Sequence, residues 1–344
     1  SSGLKPATVG IVTLDVAGVQ NAAGNSGTGT ASSKPYVVLP SNAKPIQVDG
    51  VDTYTQPIST STGAAGQLLV IPAAGADRDE DPGTPNSALA DIPLTAPGQD
   101  GSGALLYAGL PAGVGLQAEG PSLPLNRDQA LQDLIDRIES RTTSGSSSQQ
   151  EMSGQGASFL GALGDSALIQ SQTIVLTSDN QPGSGAPIVI TGAAPAAGSV
   201  VGVVIDGSAL PSGSTLQLDH VQFAAVVGDL RLIGGAGRNV VVGDDGMQTI
   251  FLGEDDDVLS GGGGDDIIGS AGGDDLLDGG AGADLIAGGI GNDSLKGGSG
   301  DDVLNGGRSV KGDWSFFLSA GGAISARHTG AVLTLTGSEQ VEAA

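Results

Sequence analysis

The chain has 344 residues, a formal net charge of −25, 60 glycines and no cysteine. So acidic a surface repels nucleic acid and anionic lipid, and the absence of cysteine excludes disulfides, thiolate chemistry and cysteine-based zinc sites. Aromatic residues make up 3% of the chain, too few to fill a wide core, so we expect a thin, layered all-β architecture. No run of about 18 apolar residues occurs, which predicts that no segment spans a membrane.

Residues 1–200 predict a β-rich N-terminal region. They are rich in Ala, Ser, Thr, Gly, Pro and Val, and turn-forming stretches separate short apolar runs, as is typical of a sandwich or meander. The candidate strands are 9–16, 36–39, 68–71, 105–107, 173–177, 188–191 and 200–205. We expect the first of these to reach an open sheet edge of a neighbouring copy, because a chain terminus is free to do so.

One short helix is predicted in this region, at about 127–141. Asn126 is a good N-cap, and Gln129 follows three residues later, as in a capping box. An apolar stripe of the kind that packs on a core follows, made of Leu131, Leu134, Ile135 and Ile138. Residues 142–157 are rich in Ser, Gly and Gln, which predicts a flexible linker or exposed loop.

A separate acidic segment lies at residues 77–83. Asp77, Asp79 and Asp81 have the spacing of an EF-hand calcium loop, but Pro82 stands at the glycine position and Ala88 replaces the final glutamate. The segment fits either a weak calcium loop or a solvated charged turn. The turn is favoured, because acidic runs are usually solvated.

No catalytic motif stands out. His220 and His328 are the only histidines, so an H-E-x-x-H metalloprotease is excluded, and no G-x-S-x-G nucleophile elbow occurs. The block Gly164-Asp165-Ser166-Ala167 has a faint likeness to an esterase nucleophile but stands alone. Residues 113–118 fit a loose dinucleotide pattern that lacks its acidic partner, and they are more typical of a turn. We predict that the protein is not an enzyme.

The strongest pattern is a nine-residue repeat that begins at residue 232. An aliphatic residue returns without a miss at Leu232, Val241, Ile250, Leu259, Ile268, Leu277, Ile286, Leu295 and Leu304. Glycines in the first half of each unit favour a turn, and the last three residues are long enough for a short strand. Two units therefore predict one coil of a flattened, right-handed parallel solenoid, with coils stacked at about 4.8 Å.

Acidic residues follow the same period. Two residues before the aliphatic position, six consecutive units carry Asp257, Asp266, Asp275, Asp284, Asp293 and Asp302. Stacking places these carboxylates in columns along the two edges, where they repel one another unless a cation lies between them. Calcium prefers oxygen ligands, and the scarcity of histidine argues against transition metals, so Ca²⁺ is the predicted cofactor. The alternative, a metal-free disordered segment, does not explain the aliphatic period.

Residues 252–305 resemble the RTX, or hemolysin-type, calcium-binding repeat, whose nonapeptide is G-G-x-G-x-D-x-U-x. Units beginning at Gly261, Gly279, Gly288 and Gly297 match it fully or nearly so, and those at Leu252 and Ser270 keep the aspartate. The resemblance implies a parallel β-roll that binds calcium between turns. It also implies a secreted protein that leaves Gram-negative bacteria by type I secretion.

The resemblance also implies a ligand set. By position, Asp257/Asp275 and Asp275/Asp293 line one edge, and Asp266/Asp284 and Asp284/Asp302 line the other. This makes about four complete sites and leaves partial sites at the ends open. Backbone carbonyls of the turn glycines are expected to complete them, namely Gly262, Gly264, Gly273, Gly280, Gly282, Gly289, Gly291, Gly298 and Gly300. Asn239 and Gln248 replace the aspartate in the two preceding units. Because an amide oxygen is a weaker calcium ligand, we expect those coils to stack without a full metal site.

These patterns predict three regions. They are a β-rich region at 1–200, a β-solenoid at 201–312 with its calcium-binding part at 252–305, and a C-terminal β cap at 313–344. The aromatic cluster at 314–317 and the apolar run at 331–336 fit a cap on the open solenoid end, or an ordinary apolar strand pair.

The predicted function is a secreted, calcium-stabilised structural protein of the bacterial cell surface or extracellular matrix. We expect it to self-assemble into a surface layer (S-layer) or filament, with other copies of the chain as partners and a cell-surface polysaccharide as a further one. One alternative is a calcium-dependent adhesin or ligand-binding exoprotein. Another is a secreted hydrolase with an RTX tail, because the family includes toxins, proteases and lipases as well as surface proteins.

Overall fold

A computed structural model describes residues 45–73, 89–96, 103–178, 186–192 and 199–307 in full, and eight further short strands as backbone only. In these residues the protein is mostly strand, with two helices, so the predicted all-β class is confirmed. Two long sheets, called sheet 1 and sheet 2, contain 15 and 10 strands and enclose a shared core. The acidic segment with Asp77, Asp79 and Asp81 lies outside the described residues.

The first four strands pair with one another. They are β1 (Val9–Gly10), β2 (Thr13–Asp15), β3 (Thr30–Ser32) and β4 (Tyr36–Val37). β1 pairs antiparallel with β4, and β2 pairs antiparallel with β3. The expected single strand over 9–16 is therefore two short strands, each already paired within its own segment.

Antiparallel strands form the N-terminal part of both sheets. They are β5 (Ile46–Val48), β6 (Val51–Ser59), β7 (Ala65–Ile71), β8 (Leu89–Pro93), β9 (Leu106–Pro111), β10 (Val114–Pro121), β11 (Leu125–Asn126), β12 (Leu168–Ser178) and β13 (Ile188–Gly192). Sheet 1 runs β5-β6-β7-β10-β12 and sheet 2 runs β8-β9-β13. The expected turn over 113–118 is confined to Gly113, with φ +84°, because β10 begins at Val114.

Parallel pairing begins at β12 and β13, where the chain starts to wind as a solenoid of about six turns. Its strands are β14 (Ser199–Asp206), β15 (Ser214–Asp219), β16 (Phe223–Val227), β17 (Leu230–Gly234), β18 (Val240–Val242), β19 (Thr249–Leu252), β20 (Val258–Gly263), β21 (Ile267–Ser270), β22 (Leu276–Ala281), β23 (Leu285–Ala287), β24 (Ser294–Ser299) and β25 (Val303–Asn305). Even-numbered strands join sheet 1 and odd-numbered strands join sheet 2. Each turn therefore contributes one strand to each sheet.

The aliphatic repeat lies inside the solenoid, as predicted. Leu232 pairs in register with Ile250, Ile250 with Ile268, and so on to Leu304, an offset of 18 residues per turn. All nine repeat aliphatics are at most 2% exposed, and they belong to a core cluster that begins at Val51 in the antiparallel part. Each buried Leu or Ile contributes about 1.5–3 kcal/mol, so this row holds the thin solenoid together.

The region predicted to contain one short helix contains two. α1 (Arg127–Arg141) begins where predicted, and Asn126 Oδ1 accepts the Gln129 N–H at 3.0 Å. α2 (Ser147–Ala162) occupies most of 142–157, so the prediction of a flexible linker or loop there was wrong. The buried stripe of α2 is narrow: it includes Met152, Gly156 and Leu160, which are four residues apart. Because the residues between them are mostly Ser, Gln and Gly, the sequence gives no clear helix signal.

The helix pair lies on the outer face of sheet 1. Leu134 and Ile138 of α1 and Met152 and Leu160 of α2 share a buried cluster with Phe223 and other sheet 1 side chains. Under α1, the buried Asp133 accepts from the Arg137 guanidinium at 2.7 Å and from Ser171 Oγ at 2.5 Å. The antiparallel part, the helices and the first solenoid turns therefore pack together.

The described residues bear on the predicted boundaries in two ways. Neither sheet is interrupted at the predicted boundary at residue 200, because β12 pairs in parallel with β14 in sheet 1 and β13 pairs in parallel with β15 in sheet 2. The core also continues across this boundary. The C-terminal strands are β26 (Trp314–Leu318), β27 (Ile324–His328), β28 (Val332–Leu335) and β29 (Gln340–Val341). β28 pairs with β24 and β29 with β25, so they continue both sheets at the end where a cap is expected.

Candidate metal centre

The repeat aspartates form two columns, one along each edge of the solenoid. Column A consists of Asn239, Asp257, Asp275 and Asp293, and column B consists of Gln248, Asp266, Asp284 and Asp302. Members of a column are 18 residues apart and lie on successive turns, about 4.8 Å from one another. All eight side chains are at most 2% exposed. The turn thus brings together carboxylates that the nine-residue spacing alone only suggests.

One oxygen of each aspartate is used by the fold. In every step of both columns, the Oδ1 atom accepts the backbone N–H of the residue 18 positions earlier, at 2.7–3.1 Å. Each carboxylate thereby ties its own turn to the preceding one. The same bond fixes the side-chain orientation, because only one oxygen can face the neighbouring turn.

The second oxygen, Oδ2, has no partner. The Oδ2 atoms of all six aspartates are buried and make no hydrogen bond. In the units beginning at Gly261, Gly279, Gly288 and Gly297, a Cβ added to that first glycine would overlap with Oδ2 of the aspartate five residues later. The first glycine is therefore needed for space. The second and fourth positions carry the left-handed backbone, as in Gly280 and Gly282, with φ +103° and +142°.

The buried carboxyl groups are hard to ionise. Burial raises the pKa of Asp257, Asp266 and Asp293 to about 7 and that of Asp284 to about 6, and it raises the pKa of Asp275 as well. The backbone N–H at Oδ1 opposes this increase, and neighbouring aspartates add to it. A metal-free column at neutral pH must therefore hold protons or repelling charges.

The donor set fits calcium. The unpartnered atoms are carboxylate oxygens, which calcium prefers, and they face carbonyl groups of glycine turns. No group of three or more Asp, Glu, His or Cys side chains placed to hold one metal ion occurs in the residues that the structure describes, so a cation here must take most of its ligands from the backbone. Of the nine turn glycines expected to supply carbonyls, all but Gly291 have positive φ. Their role as ligands stays a prediction.

A second, exposed row of aspartates was not anticipated. In each case, Oδ1 accepts the backbone N–H of the residue 18 positions later, at 2.8–2.9 Å. The pairs are Asp256 with Asp274, Asp265 with Ala283, and Asp274 with Asn292. These side chains link each turn to the following one, opposite in direction to the buried columns. Their sequence signal is the acidic residue directly before the repeat aspartate, as in Asp256-Asp257 and Asp265-Asp266.

The family comparison agrees with this geometry. The family model of the RTX calcium-binding nonapeptide repeat matches residues 242–277 and 278–309. Residues 242–309 are RTX repeats. RTX nonapeptide repeats bind Ca²⁺, so the predicted cofactor is confirmed, and they are typical of secreted proteins. No curated protein and no solved structure matches the chain.

The other candidate residues within the described ranges, Asp165 and His220, lie outside the RTX repeats and belong to no metal-binding cluster. Asp165 of the isolated Gly164–Ala167 block makes an ion pair with Arg127 at 2.7 Å. His220 lies in a turn with φ +52°, and its backbone N–H donates to the Ala236 carbonyl. No helix in the described part of the chain is long and apolar enough to cross a membrane.

Proposed function

We propose that the protein is a secreted structural component of the bacterial cell surface or extracellular matrix whose fold is completed by calcium. The observation that carries the proposal is the set of six buried Oδ2 atoms without partners, along the edges of a solenoid whose core is shared with the antiparallel part. Because the uncompensated carboxylates oppose folding, metal binding and folding are coupled. Calcium supplies the positive charge in the columns. The chain supplies the ordered turns, the oxygens and the space left by glycine.

This coupling suits export. RTX-type loops with extracellular affinity, about 10⁻⁴–10⁻³ M, stay empty where calcium is scarce and fill where it is abundant. The chain would leave the cell with its repeats unfolded and fold outside. We assign the export route to type I secretion from a Gram-negative cell and assign no catalysis to the chain. Assays against esters and polysaccharides test the second assignment.

Self-assembly is supported by the outer face of sheet 2. The strands β19, β21, β23 and β25 contain no charged residue, although the chain carries a net charge of −25. Phe251, Ile267 and Leu285 project from this face with 38–44% of their surface exposed. An uncharged apolar face lets two strongly acidic copies approach without repulsion at the contact.

Strand addition at the N-terminal edges has less support than this face-to-face contact. The segment over 9–16 is already paired, and Pro57 provides no N–H in the part of β6 that the short edge strand β5 leaves uncovered. In the other edge strand, β8, the Asp91 N–H donates to Asp49 Oδ2 at 2.9 Å. We therefore place the self-association surface on sheet 2.

Electron microscopy with calcium and with chelator tests the proposal. We expect ordered layers or filaments with calcium and none with chelator. The double substitution Ile267→Lys and Leu285→Lys should abolish them while calcium binding persists, and Leu276→Lys on sheet 1 is the matched control. Monomers under all calcium concentrations would contradict self-assembly. Failure to bind calcium would contradict the whole proposal.

A second function, ligand binding by an adhesin or exoprotein, is favoured by one cleft. A cleft of about 440 Å³ lies between α2 and sheet 1, and its walls include Phe159, Val258, Leu276 and Arg238. The volume of this cleft and its apolar lining are typical of a site that binds a small molecule. Saturable binding of a surface glycan or another ligand, lost in the Leu276→Lys variant, would support this function instead if the protein forms no polymers.

A further inference from the structure

Column B does not end with its last aspartate. We propose that Gln248 and Asp266 bound a further calcium site, one turn beyond the four that the aspartate pairs imply, with the amide oxygen of Gln248 in place of a carboxylate. The inference rests on the calcium-binding role proposed above. It also reverses the expectation that the coil of Gln248 stacks without a full metal site.

The first observation is an unpartnered oxygen. Gln248 is 1% exposed, and its Oε1 atom makes no hydrogen bond. Leaving a buried carbonyl oxygen unpaired is unfavourable, so its position calls for a partner that the protein itself does not provide. The aspartate Oδ2 atoms in the same column are in the same condition.

The second observation is that Oε1 occupies the place of an aspartate oxygen. A Cβ added to Gly243 would overlap with Gln248 Oε1 and with the carbonyl oxygen of Gly261. One turn later, a Cβ added to Gly261 would meet Asp266 Oδ2 and the carbonyl oxygen of Gly279. The two corners therefore present the same pair of oxygens to the same space. The extra methylene of glutamine does not move its oxygen out of register.

The third observation fixes which end of the amide faces the corner. Gln248 Nε2 donates to Asp244 Oδ1 in a short hydrogen bond. Asp244 is held by two further donors, the N–H of Gly246 to Oδ1 at 2.9 Å and that of Gly228 to Oδ2 at 2.8 Å. A carboxylate only accepts, so the NH₂ group must face Asp244 and the carbonyl must face the corner.

Column A lacks this arrangement at the equivalent turn. Asn239 Oδ1 is also buried and unpartnered, and its Nδ2 donates to the Val221 carbonyl at 2.5 Å. However, a Cβ added to Gly234 would meet Leu252, not an oxygen of Asn239. The proposal is therefore confined to column B. Its site has one carboxylate where the others have two, so it should bind calcium most weakly and fill last.

Calcium stoichiometry of the full chain tests the proposal. Equilibrium dialysis should give one calcium ion fewer for Gln248→Met than for the natural sequence, because methionine fills the space without an oxygen. Gln248→Glu should keep the number and tighten the weakest site about tenfold, since a charged acceptor is stronger than a neutral one. Gln117→Met is the matched control: Gln117 is also buried with an unpartnered Oε1, but in β10 of the antiparallel part.

The outcomes separate this inference from the proposed function. Equal stoichiometry for Gln248→Met and the natural sequence, with calcium still bound, overturns the further site and leaves the proposed function intact. A chain that binds no calcium overturns both. If Gln248→Met does not fold, the Gln248→Glu variant decides, because an unchanged weakest affinity overturns the proposal.

Discussion

Replacing Asp284 with asparagine should have opposite effects on stability with and without calcium. Asp284 lies in the middle of column B, so it belongs to two of the predicted calcium sites, one with Asp266 and one with Asp302. Asparagine keeps an oxygen for the Asp266 N–H, which Asp284 Oδ1 now accepts at 2.8 Å. It removes the charge, and its NH₂ group can donate to a turn carbonyl in the same space.

The expected magnitudes follow from burial and from mass action. Burial raises the pKa of Asp284 from 3.8 to about 6, so at pH 7.5 its ionisation opposes folding by about 3 kcal/mol, and Asp284→Asn should stabilise the chelated protein by up to that amount. With calcium at about 100 times its dissociation constant, each filled site adds about 2.7 kcal/mol. Weakening two sites should then destabilise the protein by up to about 5 kcal/mol.

Urea unfolding followed by circular dichroism, with calcium and with chelator, measures both values. Asp265→Asn is the control, because it removes the same charge from an exposed side chain of the preceding turn and should change either value by less than about 1 kcal/mol. Destabilisation of equal size under both conditions would refute the reasoning, since it would mean that the Oδ2 charge neither opposes folding nor binds the metal.

Three further predictions concern the columns, the turns and the helix pair. In chelator, the stability of the repeats should fall as pH rises from about 4 to about 7. The folded pKa values of the column aspartates lie above 3.8, so the folded state binds more protons than the unfolded state. Excess calcium should reverse this dependence on pH, and unfolding curves recorded at several pH values check both results. Gly280→Ala should lower the free energy of unfolding by at least about 2 kcal/mol, because φ is +103° and the new Cβ would overlap the Gly262 carbonyl. Gly154→Ala in α2, where no atom lies near the new Cβ, should raise it by about 1 kcal/mol. Asp133→Ala should cost about 3–5 kcal/mol by leaving Arg137 buried without its carboxylate, and a loss below 1 kcal/mol in thermal or urea unfolding would count against that ion pair.

The repeat made the solenoid predictable. A side chain that returns every nine residues stays buried when two units close one turn, so the inward row from Leu232 to Leu304 could be predicted from spacing, and the same spacing suggested the two aspartate columns. The capping pattern at Asn126 and Gln129 likewise set the start of α1, because an N-cap is a local interaction. Helix α2 was missed because its buried residues are few and small and depend on the sheet beneath them.

The sequence by itself therefore determined the repeat, its cation and the six aspartates that stack in two columns, because these depend on periodicity and charge. Only the tertiary structure decided how the oxygens are used: Oδ1 accepts from the neighbouring turn, Oδ2 is buried without a hydrogen-bond partner, and the first glycine leaves space for it. The same holds for Gln248, whose amide orientation depends on Asp244 and on Gly228, a glycine 20 residues earlier. Hydrogen bonds between turns are set by register in three dimensions, which a one-dimensional pattern does not contain.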